Sequence, residues 1–198
     1  MSLIRTFSAA VIVAGVLAGA GTGAALAAPA ASHFDGGSFE TPRVAANTFV
    51  NIGTGGSIGP WKVTEGNVDL IGDGFWQAAE GDQSVDLNGQ NAGTVAQTFT
   101  TVPGKRYTVT YSLAGNPGVG GPALKTGKVL VDGQLFQNFS FDTTGKTTAN
   151  MGYVTREVSF VATGATTTLA FASTMSGAWG PVIDDVTVRH CEPCPSCD

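Results

Sequence analysis

The sequence predicts an all-β protein, a two-sheet antiparallel β-sandwich of jelly-roll type. Its composition is typical of a secreted β protein, with 28 glycines and only 13% charged residues. About nine short segments alternate apolar with polar residues between turn residues, and the clearest runs from Arg106 to Leu113. No amphipathic helix follows the first residues. These observations favour two packed sheets over a fold with a helical layer.

The first residues are predicted to be an export signal. Arg5 precedes an apolar run, and Ala25 and Ala27 form an A-x-A cleavage site. We therefore expect a signal peptide at residues 1–27, a mobile leader at 28–33, the sandwich domain at 34–189 and a cysteine-rich tail at 190–198. No second hydrophobic span follows, so the mature chain is expected to lack a transmembrane segment and to be secreted or associated with the cell wall.

The expected elements follow the chain in order. A first strand or an extended entry segment is expected from Phe34 to Pro42, and the glycine-rich run from Asn51 to Pro60 is expected to be a loop. The stretch from Ala114 to Lys125 has too much Gly and Pro for regular structure and is expected to be a second, longer loop. The predicted strands are Val68–Ile71, Ser84–Leu87, Val95–Phe99, Arg106–Leu113, Lys128–Asp132, Gln134–Phe141, Tyr153–Val161, Thr166–Phe171 and Val182–Val188.

The stretch from Gly66 to Gly89 is the candidate binding region. Each of its two strands places an apolar pair inward, so Asp69 and Asp86 are both expected to face solvent. The loop between the strands carries Trp76. An exposed indole between two carboxylates offers a sugar ring a flat apolar face and polar groups for its hydroxyls. The same pattern also fits a surface loop with one packed aromatic residue.

A non-catalytic carbohydrate-binding role is the predicted function. Trp61 is assigned to the core, because a buried indole is the commoner fate at the start of a strand. The predicted ligand-binding residues are Trp76, Gln77, Asp86 and Asn88, with Asp69 and Trp179 as second choices. The expected partner is a cell-wall or extracellular polysaccharide. A structural or adhesive surface protein that acts through protein contacts is the alternative.

Two other classes of function fit the residues poorly. The formal net charge of −5 leaves no basic stripe for nucleic acid. Catalysis lacks a nucleophile with a base, because the histidines, His33 and His190, lie at the two ends of the mature domain. A glycoside hydrolase would need two carboxylates across a cleft, for which the candidates are Asp69, Glu80, Asp82 and Asp86.

A metal site is predicted where the first and last segments of the domain meet. Strict alternation in Val182–Val188 places Asp184 on the same face as its valines, and a buried carboxylate needs a partner. Calcium is a hard cation that takes such oxygens, and Glu40 could supply a second carboxylate. Two alternatives have equal weight: Asp184 caps a backbone turn, or a bulge turns it outward.

Cys191, Cys194 and Cys197 form the tail, and the core therefore folds without a disulfide. His190 would make four zinc ligands with them, but the tail is too short and proline-broken to wrap an ion. In an oxidising compartment we expect one internal disulfide and one spare thiol, which could link a second chain or a surface.

A series of motifs resembles a known family. The blocks are GGSFETP at Gly36, GPW at Gly59, VTEGNVDLIG at Val63, FWQAAEGDQSVDLNG at Phe75, AQTFTTVPGKRYTVTYSLAGNP at Ala96 and GPVIDDVTV at Gly180. They resemble the bacterial secreted domain called choice-of-anchor C and the plant cell-wall proteins of the domain-of-unknown-function-642 family. The resemblance covers about Phe34 to Arg189.

The resemblance implies a galactose-binding-domain-like jelly roll, a fold widely used for carbohydrate recognition, exported to the cell surface or wall. It also implies a structural calcium between the first and last strands, which adds weight to Glu40 and Asp184. The chain departs from the bacterial family in ending with the cysteine tail, without a sorting motif or hydrophobic anchor. It departs from the plant proteins in having one such domain where they usually have two.

Overall fold

The computed structural model describes residues 33–190, and within that range it contains twelve strands and no helix. The signal peptide, most of the leader and the cysteines of the tail lie outside the described residues. The strands are β1 Phe49–Gly53, β2 Ser57–Ile58, β3 Trp61–Glu65, β4 Asn67–Ile71, β5 Ser84–Asp86, β6 Thr94–Thr100, β7 Arg106–Gly115, β8 Leu124–Val131, β9 Gln134–Asp142, β10 Val154–Val161, β11 Thr166–Ser173 and β12 Pro181–His190.

The strands form two six-stranded antiparallel sheets that pack face to face. Sheet A has the order β1-β4-β5-β12-β7-β10, and sheet B has the order β2-β3-β6-β11-β8-β9. The predicted fold class, an all-β two-sheet sandwich, is confirmed. Within the described residues there is no helix that could cross a bilayer.

The core lies between the two sheets and follows the alternation of the strands. Strand β7 buries every second side chain from Tyr107 to Leu113, as its pattern predicts. Trp61 is fully buried, as expected, and its Nε1 donates a hydrogen bond to the carbonyl of Gly36 at 3.0 Å. This bond holds the leading segment, which has no strand of its own, against the end of the sandwich.

Two strands occur where the glycine-rich sequence predicts a loop. The run from Asn51 to Pro60, predicted to be a loop, contains most of β1 and all of β2. The predicted loop from Ala114 to Lys125 is also shorter than expected, because β7 continues to Gly115 and β8 begins at Leu124. Both runs gain order from neighbouring strands, which single-sequence patterns do not contain.

A β-bulge interrupts β12 between Asp184 and Thr187. Asp185 adopts a φ of 47° there and adds one residue to the strand. Val188 pairs with Val109 of the core face, whereas Asp184 pairs with Ser112 on the opposite face. The expectation that Asp184 shares a face with Val188 is therefore wrong, and the bulge is the reason.

Candidate functional site

A cleft of about 760 Å³ opens on the outer face of sheet A. Asn51 of β1 and Asp69 of β4 are cross-strand partners and line its floor, next to Phe49 and Ile71 of the same strands. Loops complete the lining with Phe75, Trp76, Asn88, Gly89, Gln90, Asn116, Pro117, Gly118, Val119, Lys146, Thr147, Thr148, Ala178 and Trp179. We call this surface the cleft.

Asp69 is the carboxylate that lines the cleft. Its Oδ1 accepts a hydrogen bond from Asn51 Nδ2 at 2.7 Å, and its Oδ2 has no protein donor among residues 33–190. Partial burial raises the pKa of this carboxyl, and the bond from Asn51 lowers it. Asp69 thus faces outward, as the alternation predicts, with one oxygen available to a ligand.

Asp86 lies directly opposite Asp69 and on the same face of sheet A, but it is only 1% exposed. Its Oδ1 accepts the backbone N–H groups of Asn88 and Gly180, and its Oδ2 accepts Asn116 Nδ2 at 2.7 Å. Burial raises the pKa of Asp86 to about 7 against these bonds. The prediction that Asp86 faces solvent is therefore wrong, because its hydrogen-bond donors close over it.

Trp76 is the residue on which the sequence interpretation depended most, and its predicted exposure is wrong. The indole is only 6% exposed, and its Nε1 donates to Ser84 Oγ at 2.8 Å. Phe75 packs edge-on against it at 5.5 Å between ring centroids. The loop between β4 and β5 folds back over the outer face of sheet A, so a loop aromatic residue becomes buried.

Trp179 supplies the exposed indole instead. It is 38% exposed, and it adopts a φ of 62°, a left-handed conformation that is rare for residues other than glycine. A Cβ atom at Gly118 would lie 2.3 Å from Trp179 Cδ1, and one at Gly120 would lie 2.4 Å from its Cη2. The backbone of this glycine-rich loop therefore lies directly against the ring, and larger side chains would displace it.

The other two predicted residues hold loops in place. Gln77 lies outside the cleft lining, and its Oε1 accepts the backbone N–H of Met151 at 3.1 Å. Asn88 is fully buried at the edge of the cleft, where its Nδ2 donates to the carbonyl of Gly177 at 2.6 Å. Asn88 Oδ1 has no hydrogen-bond partner among the described residues.

A buried lysine lies under the Trp179 end of the cleft. Lys125 has no exposed surface, and its Nζ makes no hydrogen bond to the described residues. A Cβ atom at Gly121 would lie 3.3 Å from this Nζ, which places the amine beneath the glycine-rich loop. Burial lowers the pKa of Lys125, and the charge of Asp86 raises it.

Glu40 and Asp184 both hold the loop that follows Trp76. Asp184 Oδ2 accepts the backbone N–H groups of Ala79 and Glu80, and its Oδ1 accepts that of Asp185. Glu40 Oε1 accepts the backbone N–H groups of Asp82 and Gln83, each at 2.8 Å. Burial raises the pKa of Asp184 to about 7.

These contacts are those of a backbone cap, one of the alternatives that the sequence left open. Most of the carboxylate oxygens of Glu40 and Asp184 already meet N–H donors, and Glu40 Oε2 is the acceptor with none in the described residues. Residues 33–190 contain no group of three or more His, Cys, Asp or Glu side chains placed to hold a metal. The two carboxylates fit calcium only in part, and calcium stays a prediction.

Sequence reasoning missed several residues of the cleft. Asn51 lies in the run predicted to be a loop, although it is the partner of Asp69 across the sheet, and Phe49, just before that run, belongs to the same unpredicted strand. Asn116 lies in the second glycine-rich stretch, and its contact with Asp86 joins residues 30 positions apart. Phe75 is exposed and lines the cleft, and its position next to Trp76 in the sequence was a signal that could have identified it.

The fold and the cleft define a class, a β-sandwich with a ligand-sized depression on one sheet face. A family model described as Protein of unknown function (DUF642) matches residues 32–189, and the chain belongs to this family. The resemblance to that family is thereby confirmed, whereas membership of choice-of-anchor C stays a prediction.

One curated relative is Halomucin of Haloquadratum walsbyi, which is 29% identical over 143 residues. That match covers 72% of this chain and spans only 2% of the length of Halomucin.

Two solved structures are similar to this chain. The CBM22-1 xylan-binding domain from Paenibacillus barcinonensis Xyn10C matches with a TM-score of 0.51 and 17% identity, over 76% of this chain and 99% of that chain. A family 35 carbohydrate binding module from Clostridium thermocellum matches with a TM-score of 0.47 and 15% identity, over 71% of this chain and 97% of that chain. The first of these likenesses shows a shared β-sandwich architecture.

Proposed function

We propose that this domain is an exported, non-catalytic carbohydrate-binding module for a cell-wall or extracellular polysaccharide. The observation that carries the proposal is the cleft, where the exposed ring of Trp179 lies on the same surface as the polar pair Asn51 and Asp69. Apolar ring faces and hydroxyl-binding groups on one concave surface are what a saccharide requires. The names of the similar solved structures, both carbohydrate-binding modules, support the same class of ligand.

The arrangement of carboxylates favours binding over hydrolysis. Of the four candidates for a glycosidase pair, Asp69 lines the cleft, while Asp86 is buried behind it. Asp82 forms an ion pair with Arg43 at 2.8 Å, away from the cleft. A hydrolase needs a second carboxylate on the other side of the scissile bond. We expect no reducing ends to be released from any polysaccharide that the protein binds.

Affinity electrophoresis tests the binding proposal. The wild type, Trp179→Ala and Phe136→Ala are run through gels that contain different polysaccharides. Phe136 is 43% exposed and lies outside the cleft, so it is a matched control for the loss of an exposed ring. We expect at least one polysaccharide to retard the wild type and Phe136→Ala but not Trp179→Ala. Unchanged mobility of the wild type in every gel would contradict the proposal.

Calcium and export are separate proposals. We propose that calcium joins Glu40 to Asp184, supported by the burial of the Asp184 carboxylate and by Glu40 Oε2, which has no donor among the described residues. Calcium should then raise the melting temperature, and a chelator should lower it. A melting temperature that changes with neither calcium nor chelator would contradict the calcium proposal.

Export is supported by the signal-like residues 1–27. It predicts that the mature protein, as measured by its intact mass, begins at Ala28. The cysteine tail is proposed to form disulfides, which should appear as a mass or mobility difference between reduced and non-reduced protein.

A further inference from the structure

The side-chain amides of Asn51, on the floor of the cleft, and Asn88, at its edge, already use their donors within the protein. Asn51 Nδ2 donates to Asp69 Oδ1 at 2.7 Å and to Asn67 Oδ1 at 3.4 Å. Asn88 Nδ2 likewise donates to two backbone carbonyls of the loop that precedes Trp179. Because an amide nitrogen carries two N–H groups, neither side chain has one left for a ligand.

The acceptors of the same surface are not used up. Asp69 Oδ2 has no donor among the described residues. Asn88 Oδ1 also has no partner among them, but this atom is enclosed, so a ligand in the cleft does not reach it. A partly buried acceptor without a donor is costly, so Asp69 Oδ2 is the oxygen on the floor that a ligand rich in hydroxyl groups can supply with a donor.

The charged side chain on the floor of the cleft is a carboxylate, so the floor carries negative charge. Asp69 is half-buried there, and the buried Asp86 lies beside it on the neighbouring strand. Lys146 is the cationic side chain among the residues that line the cleft, and it belongs to a loop wall. Lys125 is sealed beneath the glycine-rich loop and offers no free surface. A ligand carboxylate placed on the floor would meet Asp69 without a donor to receive it.

From this imbalance, and resting on the proposed carbohydrate-binding function, we propose that the cleft selects uncharged polysaccharides and excludes polyuronates, with Asp69 as the residue that sets this preference. A sugar hydroxyl donates to Asp69 Oδ2 in a charge-assisted hydrogen bond. A uronate carboxylate is itself an acceptor, and its charge is repelled in a partly desolvated site.

The test compares neutral with acidic polymers in affinity gels. The neutral probes are galactomannan, arabinoxylan and galactan, and the acidic probes are polygalacturonate and alginate. We expect at least one neutral polymer and neither acidic polymer to retard the wild type. Asp69→Asn, which keeps the shape but adds donors, should weaken neutral binding by about tenfold and improve retention by acidic polymers. Glu65→Gln, which neutralises an exposed carboxylate of β3 outside the cleft, is the control and should leave the preference unchanged.

The outcomes separate the two proposals. Absence of retardation in all gels overturns the carbohydrate-binding function itself. Equal or stronger retention of the wild type by acidic polymers, or an Asp69→Asn variant with unaltered preference, overturns the selectivity alone.

A second measurement on the wild type covers the case in which Asp69→Asn does not fold. Added salt should raise any residual binding to polygalacturonate, because salt screens repulsion. Salt that lowers this binding would overturn the inference, since it would mean that attraction through Lys146 dominates.

Discussion

Trp76 and Trp179 have different roles, although both lie on loops over the same sheet. Trp76 is enclosed and donates its N–H to Ser84, so it holds the loop between β4 and β5 onto sheet A. Trp179 keeps over a third of its surface exposed and lies against a glycine-rich backbone. The first contributes to stability and the second is placed to contact a ligand.

Replacing these two tryptophans should separate stability from binding. Trp76→Ala removes a buried ring and leaves Ser84 without its donor, so we expect a loss of about 3–5 kcal/mol in the free energy of unfolding, read from urea denaturation. Trp179→Ala keeps the same left-handed backbone and should cost about 1 kcal/mol or less. A larger loss for Trp179→Ala than for Trp76→Ala would contradict these roles.

The buried carboxyl of Asp86 predicts a pH dependence of stability. Its pKa of about 7 in the fold exceeds the value of about 3.9 for an unfolded chain. The native state therefore binds the proton more tightly, and the contribution of this group is full below about pH 4 and is lost as the pH rises to about 7. The free energy of unfolding of the wild type minus that of Asp86→Asn should therefore fall over this range, by an amount on the order of a few kcal/mol.

Urea midpoints of both proteins at a series of pH values measure that difference. Because the two proteins share every other titrating group, subtracting one free energy of unfolding from the other isolates the contribution of Asp86. A difference that stays constant would mean that folding does not change the pKa of Asp86, and one that rises with pH would mean that folding lowers it.

At the scale of elements, the loop from Trp76 to Gln83 is held to the sandwich by side chains distant in sequence. Glu40 and Asp184 cap its backbone from the two ends of the domain. Buried Gln83 returns the contact, because its Nε2 donates to the carbonyl of Phe39 at 2.7 Å and its Oε1 accepts Val44 N. This loop is therefore part of the folded domain, and it holds Trp76 in place at the cleft.

Removal of the Glu40 cap should loosen the loop from Trp76 to Gln83. Glu40→Ala leaves the backbone N–H groups of Asp82 and Gln83 without an acceptor, so we expect a loss of about 1–3 kcal/mol and faster proteolysis within the loop. Glu65→Ala, an exposed carboxylate on β3, is the matched control. Equal protease resistance of the two variants would show that Glu40 does not hold the loop.

The elements show what sequence patterns can and cannot supply. Alternation identified β4 and β7, because each strand has one core face and its own sequence records it. β1 was missed because its order comes from pairing with β4. The bulge in β12 reversed the predicted orientation of Asp184 relative to Val188, since one extra residue exchanges the two faces.

The candidate site was harder to predict than the sheets. Asp69 was placed correctly because its orientation follows from its strand. The exposure of Trp76 was mispredicted because its own loop folds back and brings the indole to Ser84. That of Asp86 was mispredicted because the turn with Gly180, 94 positions away, covers it. Trp179 was a second choice, although the glycines that support it were visible as a loop of low complexity.

For the whole molecule, the cleft and the ends of the described chain lie at different ends of the sandwich. β12 begins at Pro181, next to Trp179, and ends at His190. His33 and His190 line a separate cavity near Tyr107. At roughly 3.3 Å per residue, the ten residues of β12 separate Trp179 from that cavity by roughly 30 Å.

Because the cleft and the end of β12 lie at different ends of the sandwich, we predict that attachment through the tail leaves the cleft free. Protein coupled to a surface through its tail cysteines should retain its affinity for polysaccharide in solution. A control with the tail cysteines changed to Ser and Val119→Cys at the cleft, where Val119 is fully exposed, should lose it on coupling. Loss of affinity on tail coupling would show that the ligand binds at the other end.

The central claim is that ligand binds at the cleft on sheet A beside Trp179. The most direct measurement is a two-dimensional ¹H–¹⁵N spectrum of the indole groups of the chain's three tryptophans during titration with an oligosaccharide of the retained polymer. We expect the Trp179 signal to shift in proportion to occupancy while Trp61, buried and bonded to Gly36, does not move. A Trp179 signal that stays fixed at saturation would contradict the account.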